Sequence, residues 1–157
     1  MASQQRSIFY RVIFSADFLH FRRLVVKSAT MRTMTMLLAS QDTVCRRHAA
    51  AVTDSLSKDP QLQERVGSES GALAAITIAL GCTDSETIKH CVRAVANLAR
   101  CAPLQPRMGK VTGMISALTQ LLRASDAEVS HACFPDMVVV FEGLNRYSVA
   151  PLAPAQI

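Results

Sequence analysis

The chain contains no tryptophan, and two tyrosines and six phenylalanines are few aromatics for 157 residues. Six glycines and six prolines are too few for the many turns of an all-β fold. A core must therefore come from Leu, Val, Ile, Ala, Met and Cys, which suits closely packed helices. Long apolar runs are missing as well: the longest, Gly71 to Cys82, is too short to span a bilayer. No secretory signal peptide is evident, and Met1-Ala2 lacks the glycine that myristoylation requires. The five cysteines are Cys45, Cys82, Cys91, Cys101 and Cys133, with no CxxC pair among them. Their odd number fits a reducing compartment, where thiols serve as small apolar residues. A phosphate-binding glycine loop, a nucleophile elbow and an HExxH motif are all absent. Neither an enzyme nor a cofactor is expected.

What is present is apolar and basic. Half of the residues are hydrophobic, which excludes a disordered chain. The formal charge of +5 is concentrated at one end. Residues 1–47 hold Arg6, Arg11, Arg22, Arg23, Lys27, Arg32, Arg46 and Arg47 against only Asp17 and Asp42. Such an end attracts acidic protein, nucleic acid or a membrane surface. Residues 1–32 also have the Arg- and Ser-rich composition of a mitochondrial presequence, but the repeat described next enters this segment. A cytoplasmic location is expected, with nucleus and cytoskeleton as alternatives.

The sequence matches itself, without a gap, at a shift of 42 residues. Thr35, Thr77 and Thr119 superpose, as do Leu38, Leu80 and Leu122, and Asp42, Asp84 and Asp126. His48 falls on His90, Leu62-Gln63 on Leu104-Gln105, Arg65 on Arg107, Gly67 on Gly109, Gly71 on Gly113 and Cys91 on Cys133. A fixed period of about 40–47 residues points to stacked helical repeats, in which each unit hides its apolar face against the next.

The middle copy predicts three helices. Gly71 and Gly113 mark boundaries where the turn needs a residue without Cβ. Ala72–Leu80 is apolar almost all round and reads as a short buried helix. Thr83 and Glu86 have capping-box spacing, and Asp84 is itself a good N-cap, so these acids start a helix and are not paired catalytic carboxylates. That helix runs from about Ser85 to Arg100, with Ile88, Cys91, Val92, Val95, Leu98 and Ala99 on one face. Pro103 and Pro106 stop it, and a third short helix is expected within residues 104–112, with its equivalent within 60–70. Pro135 should interrupt the corresponding helix of the last copy, with a restart after Asp136. Met31, Met34 and Met36 are expected in the core.

Residues 71–113 resemble an armadillo repeat: the boundary Gly71, the apolar Ala72–Leu80 segment, the Asp84-Ser85-Glu86 turn and the Ala94-Val95-Ala96-Asn97-Leu98 run all match. The resemblance extends over most of residues 19–147. It divides the chain into a partial repeat or helical cap (1–28), repeats at 29–70 and 71–112, a degenerate repeat at 113–147 and a loose tail at 148–157. It implies an all-α, right-handed superhelical solenoid of about three repeats, whose third helices line a concave groove for an extended peptide. It also implies scaffold or adaptor functions, including roles in ligases and in cytoskeletal or flagellar assemblies. Asn97 matches the asparagine with which armadillo repeats clamp a ligand backbone. Ser55 and Val139 take its place in the other copies, and tryptophan is absent, so a nuclear-import role is not expected.

The candidate peptide-binding stripe is Lys89, Arg93, Asn97 and Arg100, preceded one period earlier by Arg47, Ser55 and Lys58 and joined one period later by His131. A concave basic surface attracts an acidic or polar segment, and side-chain donors hold its backbone. Nucleic-acid binding through the basic N-terminal half is the alternative, although the chain has no aromatic stacking platform. No metal site is expected: Cys45 with His48, and His90 with Cys91, are pairs rather than tetrahedral sets. Phe9, Tyr10, Phe14, Phe18 and Phe21 read as a cap on the exposed end of the stack or as a contact for further repeats.

Overall fold

A computed structural model describes residues 28–123 and 127–148, with side chains for 29–123 and 133–145. The N-terminal cap and its aromatic and basic residues, Asp126, and the tail beyond Ser148 lie outside the described residues. The described chain is all-helical. Its helices are α1 (Ser28–Leu38), α2 (Thr43–Ser57), α3 (Pro60–Ser68), α4 (Ala72–Leu80), α5 (Ser85–Ala99), α6 (Gln105–Gly109), α7 (Met114–Arg123) and α8 (Ala127–Ser148). A 3-10 turn, Ala102–Leu104, precedes α6.

Helix boundaries follow local chemistry. Asp42 and Asp84 both take extended backbone angles at the N-cap, and their carboxylates accept from the amides of Cys45 (2.8 Å) and Thr87 (3.0 Å). Asp84, rather than the Thr83–Glu86 pair, therefore caps α5. Gly71 and Gly113 sit at φ 79° and 85°, a left-handed region costly for any residue with a Cβ. Pro60 opens α3 at a position where no amide is needed. Gln63 donates to the carbonyl of Ser57 (3.0 Å) and Gln105 to that of Ala99 (2.9 Å), closing the C-terminal ends of α2 and α5 in the same way.

The short helix α4 packs on α1, and α7 on α4; the long helix α5 packs on α2, and α8 on α5. The core lies between these rows. Leu38, Leu56, Ile76, Leu80, Val92, Leu98, Leu104, Met108, Met114, Leu118 and Met137 are fully buried there. All six residues of the apolar face expected on α5 are buried. Thr35, Thr77 and Thr119 each bond back to the carbonyl four residues earlier, at 3.0, 2.9 and 2.8 Å. The methyls of the first two rest on Gly71 and Gly113, with 3.7 and 3.9 Å to an added Cβ.

Two expectations fail. Met31 and Met34 are buried, but Met36 is exposed, because helical spacing sets it on the face of α1 opposite Met31, Met34 and Leu38. Pro135 lies inside α8 without ending it. The ring is exposed, while Cys133 and Met137 on either side are buried, and α8 packs on α5, α6 and α7. That packing holds both halves of α8 in one helix against the missing hydrogen bond.

Candidate functional site

The charged strip of the protein follows from the register of α2 against α5. Both are 15-residue helices lying side by side, each with a polar stripe at helical spacing. Arg47, on the first turns of α2, reaches the N-terminus of α5, where its guanidinium grips the Asp84 carboxylate with two nitrogens; Nε donates to Oδ2 at 3.0 Å. Thr87 Oγ1 donates to the same carboxylate at 2.6 Å. The Arg47 bond holds Asp84 far below the usual carboxylate range; burial opposes this and the two Thr87 bonds add to it.

At mid-strip stands Asp54, whose side chain is only 2% exposed. Oδ2 lies 3.0 Å from His90 Nδ1 and 3.8 Å from Arg93 Nε, both on α5. A carboxylate offers only lone pairs here, which assigns the His90 proton to Nδ1. Oδ1 has no hydrogen-bond donor, and Lys58 Nζ at 3.5 Å provides its nearest positive charge. Three cationic or protonatable groups thus converge on one buried carboxylate across the helix pair. At the far end, Asn97 Nδ2 donates to Ser57 Oγ at 3.1 Å, and Arg100 Nη1 donates to Asn97 Oδ1 at 3.4 Å. Lys89 pairs with Glu86 at 3.2 Å, and Arg93 Nε donates to the Lys89 carbonyl.

The two helices bring Arg47, Lys58, Lys89, Arg93, Asn97 and Arg100 onto one strip. Arg47, Lys58 and Arg93 keep about half their side-chain surface in solvent, and Arg100 is exposed. Ser55 does not join them: it is buried, and its hydroxyl donates to the Ala51 carbonyl at 2.9 Å. His131 lies on α8, but its side chain is outside the described residues. Among the described residues, five permanent cations (Arg47, Lys58, Lys89, Arg93, Arg100) stand on this strip beside three carboxylates (Asp54, Asp84, Glu86).

Sequence reading missed Asp54. Its one signal was the Lys58 partner four residues on, since the two later copies carry Ala96 and Val138 there. Among the described residues no three His, Cys, Asp or Glu side chains converge as metal ligands. Cys91 is buried, and burial pushes its thiol up to about 12; burial raises Cys133 too. Cys82 is half-buried, its Sγ 3.6 Å from the Asp84 carbonyl. No described helix is long and apolar enough to cross a membrane. No protein-family model matches the chain, and neither does any curated protein or solved structure.

Proposed function

We propose that this chain is a non-catalytic scaffold or adaptor of the armadillo type, a solenoid of 42-residue repeats that holds an extended acidic or polar protein segment along α2 and α5. The recurrence of local chemistry at that period supports the repeat reading. Asp42 and Asp84 cap, Gln63 and Gln105 close, Gly71 and Gly113 turn, and Thr35, Thr77 and Thr119 bond back in register. The positive strip on adjacent long helices carries the binding reading. Among the described residues Arg47, Lys58, Lys89, Arg93 and Arg100 outnumber the acids beside them, and Asn97 adds a polar group near its end. An acidic ligand competes with Glu86 for Lys89 and adds contacts to the exposed flanks of Arg93 and Lys58.

The test uses a fluorescent, Asp- and Glu-rich extended peptide and its anisotropy on titration with the whole chain. K89E combined with R93E is expected to weaken binding by roughly tenfold or more while leaving the helical circular dichroism unchanged. Unchanged affinity in the double variant removes the strip from the binding site.

A further inference from the structure

The last repeat exposes apolar side chains at positions that the earlier repeats bury. Ile115 is 39% exposed, whereas its equivalents Met31 and Leu73 are 3% and 6%. Phe134 is 57% exposed against 0% for Ala50 and Val92, and Val138 is 40% exposed against 2% for Asp54 and 1% for Ala96. The buried equivalents face the following repeat. Asp54 meets His90 and Arg93 of α5. Ala96 shares a face with Ala99, whose carbonyl would lie 2.8 Å from a Cβ on Gly143 of α8. Met31 and Leu73 lie one turn before Thr35 and Thr77, whose methyls touch the next boundary glycine. Ile115, Phe134 and Val138 therefore mark the side of α7 and α8 on which a further layer would sit. Phe134 and Val138 lie four residues apart on one face of α8, with part-buried Phe141 next in line.

We infer that this end face is a docking surface for an amphipathic helix of a partner protein, seated along α8 as α8 is seated along α5. Continuity with two existing interfaces argues for a helical occupant, because a long helix already packs on this side of α2 at Asp54 and of α5 at Ala99. A larger Phe134 in place of Ala50 and Val92 calls for small residues on the incoming helix, as Gly143 is small where it meets Ala99. This inference rests on the repeat reading above, but not on the charged strip.

The experiment titrates the whole chain into a labelled synthetic peptide of about 20 residues, helical on its own, with Ala and Leu on one face and Glu and Lys on the other. Binding is expected, and F134E with V138E should weaken it at least tenfold while leaving the melt unchanged. No binding by the wild type, or equal binding by the double variant, overturns the proposal. Two results replace the occupant and also overturn it. One is a concentration-dependent dimer in sedimentation that F134E dissolves, which assigns the face to a second copy. The other is binding only after removal of residues 149–157, which assigns it to the chain's own tail. Val92→Glu, one period earlier, tests the underlying repeat separately: it should abolish the cooperative melt, and a wild-type melt overturns the equivalence itself.

Discussion

The amide of Asn97 donates to the hydroxyl of Ser57 at 3.1 Å, tying the last turn of α5 to the last turn of α2. Ser57 in turn donates to the Asp54 carbonyl at 2.8 Å, so the contact belongs to a short chain of hydrogen bonds. The asparagine expected to clamp a ligand is thus already partly engaged in holding two helices together. Asn97→Ala should cost about 1 kcal/mol in urea unfolding, the usual net worth of one such bond. An unchanged midpoint would show that water replaces the amide without loss.

Asp84 joins a helix N-cap to an inter-helix ion pair, and its carboxyl is held well below the ordinary range, first by Arg47. A depressed folded-state pKa gives stability that is complete above the unfolded value, about 3.9, and is lost as pH falls below it. Asp84→Ala should cost about 1–2 kcal/mol at neutral pH, mainly through the lost cap. The variant should also lose less stability than wild type between about pH 5 and pH 2, because the carboxylate that must be protonated is gone. Parallel acid titrations of the two proteins by circular dichroism check this.

Two helical glycines, Gly143 inside α8 and Gly109 at the end of α6, predict opposite outcomes. A Cβ at Gly143 would lie 2.8 Å from the Ala99 carbonyl and 3.3 Å from its Cβ, so Gly143→Ala must push α8 away from α5 at a cost of about 1–3 kcal/mol. Gly109 ends α6 with nothing within 4 Å of an added Cβ. Gly109→Ala is expected to be neutral or to stabilise by up to about 1 kcal/mol, through a less flexible unfolded chain. Melting both variants side by side separates close helix approach from backbone freedom.

The thiols should react in an order set by burial. All three thiols are pushed up, Cys45 by desolvation and the Asp42 carboxylate and Cys91 to about 12 by burial, but only Cys45 is exposed, whereas Cys91 and Cys133 are buried. With a chromogenic disulfide at pH 8, Cys45 should be modified in the native protein, and Cys91 and Cys133 only at the rate of unfolding. Rapid native modification of Cys91 contradicts its placement in the core.

The positions of α4 and α5 were legible in residue order because their signals are local. An Asp three residues before the amide it caps, a glycine at positive φ and an apolar residue every third or fourth place act within one or two turns. The polar stripe from Lys89 to Arg100 was legible for the same reason. Burial of Ser55 and exposure of Met36 were less so, since each shares its spacing with residues of the opposite fate and differs only in which neighbouring helix it meets.

Residue order by itself determined that the described chain is helical and where α4 and α5 start and stop, because those depend on interactions within a few residues. Tertiary structure alone decided that Asp54 becomes the buried centre of the charged strip, that α8 runs through Pro135, and that Phe134 and Val138 stay in solvent while their equivalents are covered. Those outcomes depend on which helix lies alongside, and residues some 36 to 44 positions apart, such as Asp54 with His90 or Ala99 with Gly143, meet only once the layers have packed.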